Sequence, residues 1–402
     1  MPAKNKNKPP KILLVSVTGG WGGAEQVLVN IGRYLMDEGW WIVVACPANG
    51  LLSERLNSYG VEVKAFDSVL LNLANGLHDL PRQYAAVQRA NRQIYKIIQT
   101  ENVDIVHANT IQGHWNAFLG ARRARIPIIF HAHDIPPNSM LHRIWTLSCL
   151  CYCDAIIAVS NAVAGYLRRC GVPNAKRTVI YPLYDVKALR QGAKKDVIRS
   201  EPLTTDGLPI IGFIGALSPL KAPHELILAA KMLFTQGFQA LYIFVGGPLP
   251  GEEGYANRIK NLPEKLGIAN HVQFTGFQTN PFSWLYHFDV FVITSMQDSC
   301  PLVVFEAMDL GKPVIGTNVG GIPEQVLDGE TGFIIPVNNP TVLAEKLQIL
   351  ISNPTLRRQM GKAGQKRVNT LFAPKKMLKK VLALYQEILS NHENIKSHHD
   401  LL

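Results

Sequence analysis

Short, unbroken apolar runs alternate with longer segments of helical spacing through the first half of the chain. Residues 11–17 (KILLVSV) are apolar without alternation, and residues 41–46 (WIVVAC) repeat the pattern. Between them, residues 27–39 (VLVNIGRYLMDEG) place apolar side chains at helical intervals and stop at a glycine. VDIVHAN, IPIIFHAHD and AIIAVS are further strands of the first kind. A strand that is apolar on both faces is buried on both, so the pattern predicts a parallel sheet covered by helices on each side. Residues 182–209 are polar and turn-rich and read as an interdomain connection. The alternation then restarts with PIIGFIGAL, a helical segment HELILAAKMLFTQG, and the strands ALYIFVGG, VQFTGF, VFVITS and PVIGTN. The expected organisation is a disordered basic tail (1–10), one Rossmann-like domain (11–190), a second (191–371) and a terminal amphipathic helix (372–390).

A chain of 402 residues is long enough for two such α/β domains, each with its own core. With 47% hydrophobic and 18% charged residues it is a globular sequence rather than a disordered one. No apolar run is long enough to span a bilayer, and the basic N-terminal tail holds no apolar segment of signal-peptide length. Six cysteines without a C-x-x-C pair, among them Cys149, Cys151 and Cys153, read as buried free thiols of a reducing compartment, with metal binding by the alternating cysteines near Cys170 as the alternative. The net charge of +11 is unevenly spread. Residues 1–200 contain 24 Lys and Arg against 13 Asp and Glu, whereas residues 201–402 contain 17 of each. A basic half beside a neutral one suits an anionic surface such as acidic lipid headgroups or a lipid-linked diphosphate. Clusters such as Arg122, Arg123 and Arg125 lack interleaved aromatics, which argues against nucleic acid.

The densest chemistry lies in DSCPLVVFEAMDLGKPVIGTNVGGIPE, residues 298–324. Asp298 precedes a helix opened by Pro301, Glu306 lies within that helix, and Gly311 suits its left-handed cap. A short strand then leads to Gly320 and Gly321, where backbone can approach something closely. Two acids and free N–H groups at a helix start form a pocket for a polyhydroxylated anion. Carboxylates take the hydroxyls, and the backbone around Ser299, Cys300, Pro301 and Leu302 takes the phosphate.

This segment resembles the donor site of the retaining GT-B glycosyltransferases of family 4. In that family an acid pair separated by seven residues is followed by a "G-x-P-V-I-x-T" strand and "G-G-x-x-E". The first acid is Asp298 here, one methylene shorter than the family's Glu. The resemblance implies two Rossmann-like domains facing a central cleft, with the terminal helix crossing back onto the first domain. It also implies metal-independent transfer of a hexose, with retention, from a UDP- or GDP-sugar. The acceptor side would be glycolipid or polysaccharide, at the cytoplasmic membrane face. Glu306 would take the nucleotide ribose and Asp298 the transferred sugar. Gly22 and Gly23, in GGWGGAE after the first strand, match the family's N-terminal loop and would let backbone reach the donor. Lys221 would carry the charge on the leaving diphosphate, and His133, in FHAHD, would contact the donor sugar, with His131 an alternative and His107 lining the acceptor side. No Asp-x-Asp occurs, no metal is expected, and no cofactor beyond the nucleotide sugar is implied.

Three departures matter. Ala216 stands where the family carries an arginine, Ala222 where it has a glycine after the lysine, and Pro182-Leu183 where it shows "N-G". Losing one preorganised charge stabiliser can cost roughly 3–4 kcal/mol of transition-state energy. A catalytically impaired nucleotide-sugar-binding or scaffold protein, and a nucleotide-sugar epimerase, therefore stand beside the transferase reading.

Overall fold

Strand order fixes where each domain can hold a ligand. The computed structural model describes residues 9–71, 77–136, 147, 152–193 and 207–399. Residues 1–8 of the basic tail, Cys149, Cys151 and residues 194–206 of the connecting stretch lie outside the described residues. By its contacts the chain divides into two units, Met1–Leu183 with Lys375–Leu402, and Tyr184–Pro374.

The first unit is built on a parallel sheet of β1 (Lys11–Val15), β2 (Trp41–Cys46), β3 (Glu62–Ala65), β4 (Ile105–Asn109), β5 (Ile128–Ala132), β6 (Ala155–Ala158) and β7 (Arg177–Val179). The strands lie in the order β3-β2-β1-β4-β5-β6-β7. The order reverses direction between β1 and β4, and at such a switch point the loops beyond the strands' carboxyl ends part to leave a crevice. Leu13, Val15, Val43, Val106 and Ala108 form a core with Ile94, Ile98, Ala117 and Phe118 of the helices Leu80–Glu101 and Thr110–Ala124. The helix Pro374–His399 packs on the same unit. Its Met377, Leu378, Val381, Leu384, Tyr385 and Ile388 recur at three- and four-residue intervals and are buried, the stripe a surface helix needs to dock.

The second unit repeats the plan with β8 (Ile210–Ile214), β9 (Leu241–Val245), β10 (Val272–Gly276), β11 (Val290–Ile293), β12 (Val314–Thr317) and β13 (Gly332–Ile335). The order β10-β9-β8-β11-β12-β13 places its switch point between β8 and β11. The core gathers Phe213, Phe244, Val290, Val292 and Ile315 with Leu226, Ile227 and Leu233 of the helix Pro223–Thr235. The turn-rich connection is more ordered at its start than its composition implies. Tyr184 is fully buried and a helix, Val186–Ala193, follows it. Leu183 is anchored too, its carbonyl accepting from Asn30 Nδ2 at 2.7 Å. Among the described residues no helix is long and apolar enough to cross a membrane.

Candidate functional site

In the second unit, the loops after β8 and β11 converge because the strands are hydrogen-bonded neighbours. The β8 loop carries Lys221 and is stitched to the β11 loop through backbone and hydroxyl contacts. Thr294 Oγ1 donates to the carbonyls of Lys221 (2.8 Å) and Ala222 (3.0 Å), and Met296 N–H donates to Leu220 O (2.8 Å). Lys221 Nζ pairs with Asp298 Oδ2, to which Ser295 Oγ also donates at 3.1 Å. The lysine side chain is 32% exposed and the aspartate 13%. Ala222 adopts φ 45° and ψ 49°, the left-handed region. A non-glycine residue there costs roughly 1–2 kcal/mol. The residue that departs from the family pattern is thus held in the conformation glycine would adopt freely.

Asp298, Ser299 and Cys300 lead into the helix Leu302–Asp309, with Pro301 as its N-cap rather than inside its first turn. Gly311 ends the segment at φ +70, as its left-handed cap role requires. Glu306 is buried, 4% exposed, on the second turn of the helix. Burial pushes the Cys300 thiol well above its ordinary range, and the Glu324 and Asp298 carboxylates add to the effect.

Gly320 makes its close approach within the protein itself. It has φ +51, and a Cβ built on it would lie 1.6 Å from the Asp298 carbonyl oxygen. The glycine therefore lets the β12 loop cross directly over the Asp298 backbone. Gly321 is the N-cap of the short helix Ile322–Gln325. That helix is braced from two sides. Gln325 Nε2 donates to Pro301 O at 3.0 Å, and Arg367 donates to the carbonyls of Gln325 (2.9 Å) and Glu324 (2.8 Å). Lys221, Asp298, Ser299, Cys300, Pro301 and Gly320 thus belong to one braced constellation.

Gly22, Gly23 and His133 belong to the first unit. Gly22 is the extended N-cap of the helix Gly23–Asp37, and a Cβ on Gly23 would meet no heavy atom within 4 Å. Glu25, in the first turn of that helix, accepts from Thr18 Oγ1 at 2.7 Å. Gly19 has a different task, since a Cβ there would lie 2.3 Å from Asn49 O. His133 follows the end of β5, its ring centroid 4.0 Å from that of His131. Burial lowers the pKa of His133 to about 3, so the ring is neutral near pH 7.

Sequence reasoning passed over Ser295, Asn109 and Tyr385. Ser295 lies three residues before Asp298, a hydroxyl at a strand end, and that position was a usable signal. Asn109 ends β4 immediately before a helix, and its Nδ2 donates to Ala24 O at 3.1 Å. Nothing local marks Tyr385. Among the described residues no group of three or more His, Cys, Asp or Glu is placed to hold a metal, and Cys46, Cys153, Cys170 and Cys300 are buried and in no disulfide.

Two parallel α/β units, each with its loops gathered at a switch point, define the GT-B class of α/β enzymes. The pattern of the family described as Glycosyltransferase Family 4 matches residues 21–188, and that of Glycosyl transferases group 1 matches residues 194–367. The chain belongs to this family and is a glycosyltransferase. It is 26% identical over 388 residues to N-acetyl-alpha-D-glucosaminyl L-malate synthase of Bacillus anthracis, covering 93% of this chain and 96% of that protein. It is 27% identical over 390 residues to D-inositol 3-phosphate glycosyltransferase of Streptomyces scabiei, covering 89% and 86%. The crystal structure of Anabaena Alr3699/HepE in complex with UDP shares the fold, with a TM-score of 0.79 at 23% identity over 94% of this chain and 100% of that one.

Proposed function

We propose that this glycosyltransferase moves a hexose from a UDP- or GDP-sugar, with retention and without a metal, to a glycolipid or polysaccharide acceptor at the cytoplasmic membrane face. The observation that carries the reading is the Lys221–Asp298 ion pair at the switch point of the second sheet, beside a helix N-terminus. A diphosphate entering there exchanges one anionic partner of Lys221 for another. The ammonium moves onto the β-phosphate, where charge grows as the glycosidic bond breaks, and the Asp298 carboxylate is released to accept a sugar hydroxyl. Backbone N–H groups at Ser299 and Cys300 and the helix dipole meet the remaining phosphate charge. Glu306 takes the ribose hydroxyls. The bond between the anomeric carbon and the phosphate oxygen breaks, and the acceptor oxygen bonds to that carbon on the same face. The acceptor's proton passes to the departing phosphate. His133, neutral, hydrogen-bonds the transferred sugar.

Solved structures of Alr3699/HepE with UDP, with UDP and glucose, and with UDP-glucose support a nucleotide-sugar donor. The basic first half supports an anionic membrane surface beside the acceptor. A second reading, binding without turnover, is favoured by Ala216, which leaves Lys221 without the arginine that the resemblance pairs with it.

One experiment separates these. The protein is incubated with UDP- and GDP-sugars, with and without lipid-linked acceptors, in EDTA, and the product's anomeric configuration is read by NMR. Transfer with an unchanged anomeric configuration supports the proposal. Thermal stabilisation by UDP or GDP without turnover supports the second reading. Interconversion of free nucleotide sugars would mean an epimerase.

A further inference from the structure

Three buried side chains of the first unit, with the partly buried His133 beside them, form a line that the reaction above does not use as a unit. Tyr385 Oη, on the helix Pro374–His399, lies 2.5 Å from His107 Nδ1, and His107 Nε2 lies 3.1 Å from His131 Nδ1. The ring of His133 follows at 4.0 Å from that of His131. Tyr385 and His107 have no exposed surface and His131 has 2%.

The polarity of this line follows from counting hydrogens. The Tyr385 hydroxyl is buried and meets His107 Nδ1, so its hydrogen goes there; the reverse would bury an O–H without an acceptor. His107 then carries its single hydrogen on Nε2 and donates it to His131 Nδ1. His131 in turn carries its hydrogen on Nε2, a buried atom that meets no partner. Its in-register neighbour on β4 is Asn109, whose Oδ1 is also buried and unpartnered, as is His133 Nε2. Burial lowers the pKa of His107 to about 3, and lowers that of His131 as well, so each ring holds one hydrogen near pH 7. Unpartnered buried polar atoms are rare in native proteins, and here they cluster at the carboxyl ends of adjacent strands beside the switch point.

We propose that Tyr385 is a positioning residue whose hydroxyl fixes the tautomers of His107 and His131, so that His131 Nε2–H and Asn109 Oδ1 stand side by side as the donor and acceptor for one hydroxyl of a bound sugar or polyol. The backbones of neighbouring strands lie about 4.8 Å apart, so side chains in register start close enough to share one hydroxyl. The ligand class rests on the glycosyl-transfer reading; the tautomer assignment does not.

The test uses the full chain labelled with 15N-histidine, with tautomers read from long-range proton–nitrogen correlations. The wild-type protein should show His107 and His131 both protonated on Nε2. Tyr385→Phe keeps the ring against Trp40, 5.6 Å away between centroids, and removes only the hydroxyl. In that variant the Nδ1–H tautomer should appear at His107 and His131. With sugar donor and acceptor present, kcat/KM should fall about tenfold, as for one lost hydrogen bond. His107 protonated on Nδ1 in the wild type, or a His131 tautomer indifferent to Tyr385→Phe, would overturn the proposal. Expected tautomers in a protein that turns over no nucleotide sugar would instead remove the transferase reading and leave the line intact.

Discussion

Gly320→Ala tests whether the candidate donor site is built on the crossing of two backbones. The substitution adds one methyl at φ +51, with its Cβ 1.6 Å from the Asp298 carbonyl oxygen, and the two must separate to at least 3.0 Å. Asp298 O belongs to the residue whose carboxylate is held by Lys221 and Ser295, so displacing that backbone disturbs both contacts. A left-handed alanine costs roughly 1–2 kcal/mol. Forcing a methyl into packed backbone adds about 1–3 kcal/mol. Gly329→Ala, in the same unit, isolates the first effect, because Gly329 has φ +76 and a Cβ there would meet no heavy atom within 4 Å. For a domain of about 150–250 residues each kcal/mol lowers the melting temperature by about 2–4 °C, so Gly320→Ala should fall roughly 4–20 °C and Gly329→Ala roughly 2–8 °C. Scanning calorimetry of both variants, with and without UDP or GDP, reads both consequences. Gly320→Ala should also lose stabilisation by the nucleotide, and Gly329→Ala should keep it. If Gly320→Ala melts no lower than Gly329→Ala, the crossing of the two backbones does not constrain the fold.

Lys221→Ala should lower the transfer rate about 10²–10³-fold, the loss seen when one preorganised charge stabiliser is removed. An unaffected rate in a donor-turnover assay would mean that another cation serves the diphosphate. Glu306→Ala should weaken nucleotide affinity in a calorimetric titration while the circular dichroism stays native; unchanged affinity would take Glu306 out of the site. The buried histidines set a pH dependence. His107 and His133 are lowered to about 3, below the ordinary value near 6.5, so the unfolded chain binds protons that the folded chain refuses. Stability present above about pH 6.5 is lost as the pH falls toward 3, by about 1.4 kcal/mol per pH unit for each histidine. The protein should melt earlier at pH 5 than at pH 7, and a flat melting temperature across that interval would count against neutral burial.

Much of this architecture was legible because its signals are local. A continuous apolar run as short as WIVVAC reads as a strand covered on both faces, and β2 occupies those residues. Gly311 and Pro301 mark the ends of their helix from a few neighbouring residues. The contacts that join the candidate site are of another kind. Lys221 and Asp298 are 77 positions apart, and nothing in either loop states that the two side chains pair. Tyr385 and His107 are separated by 278 positions, and the periodicity that predicted an amphipathic helix was equally compatible with a free surface helix. Gly320 was readable as a place of close approach, but the atom approached, Asp298 O, is supplied by a different loop.

The sequence alone marks ten of the thirteen described strands, all but β3, β7 and β13, and where one α/β alternation gives way to a second, because hydrophobic periodicity and turn chemistry act over a few residues. Which charge faces which, and which tautomer a buried ring must hold, depends on strand order. Parallel pairing sets β8 beside β11 and β4 beside β5, and so brings together groups that the chain itself holds far apart.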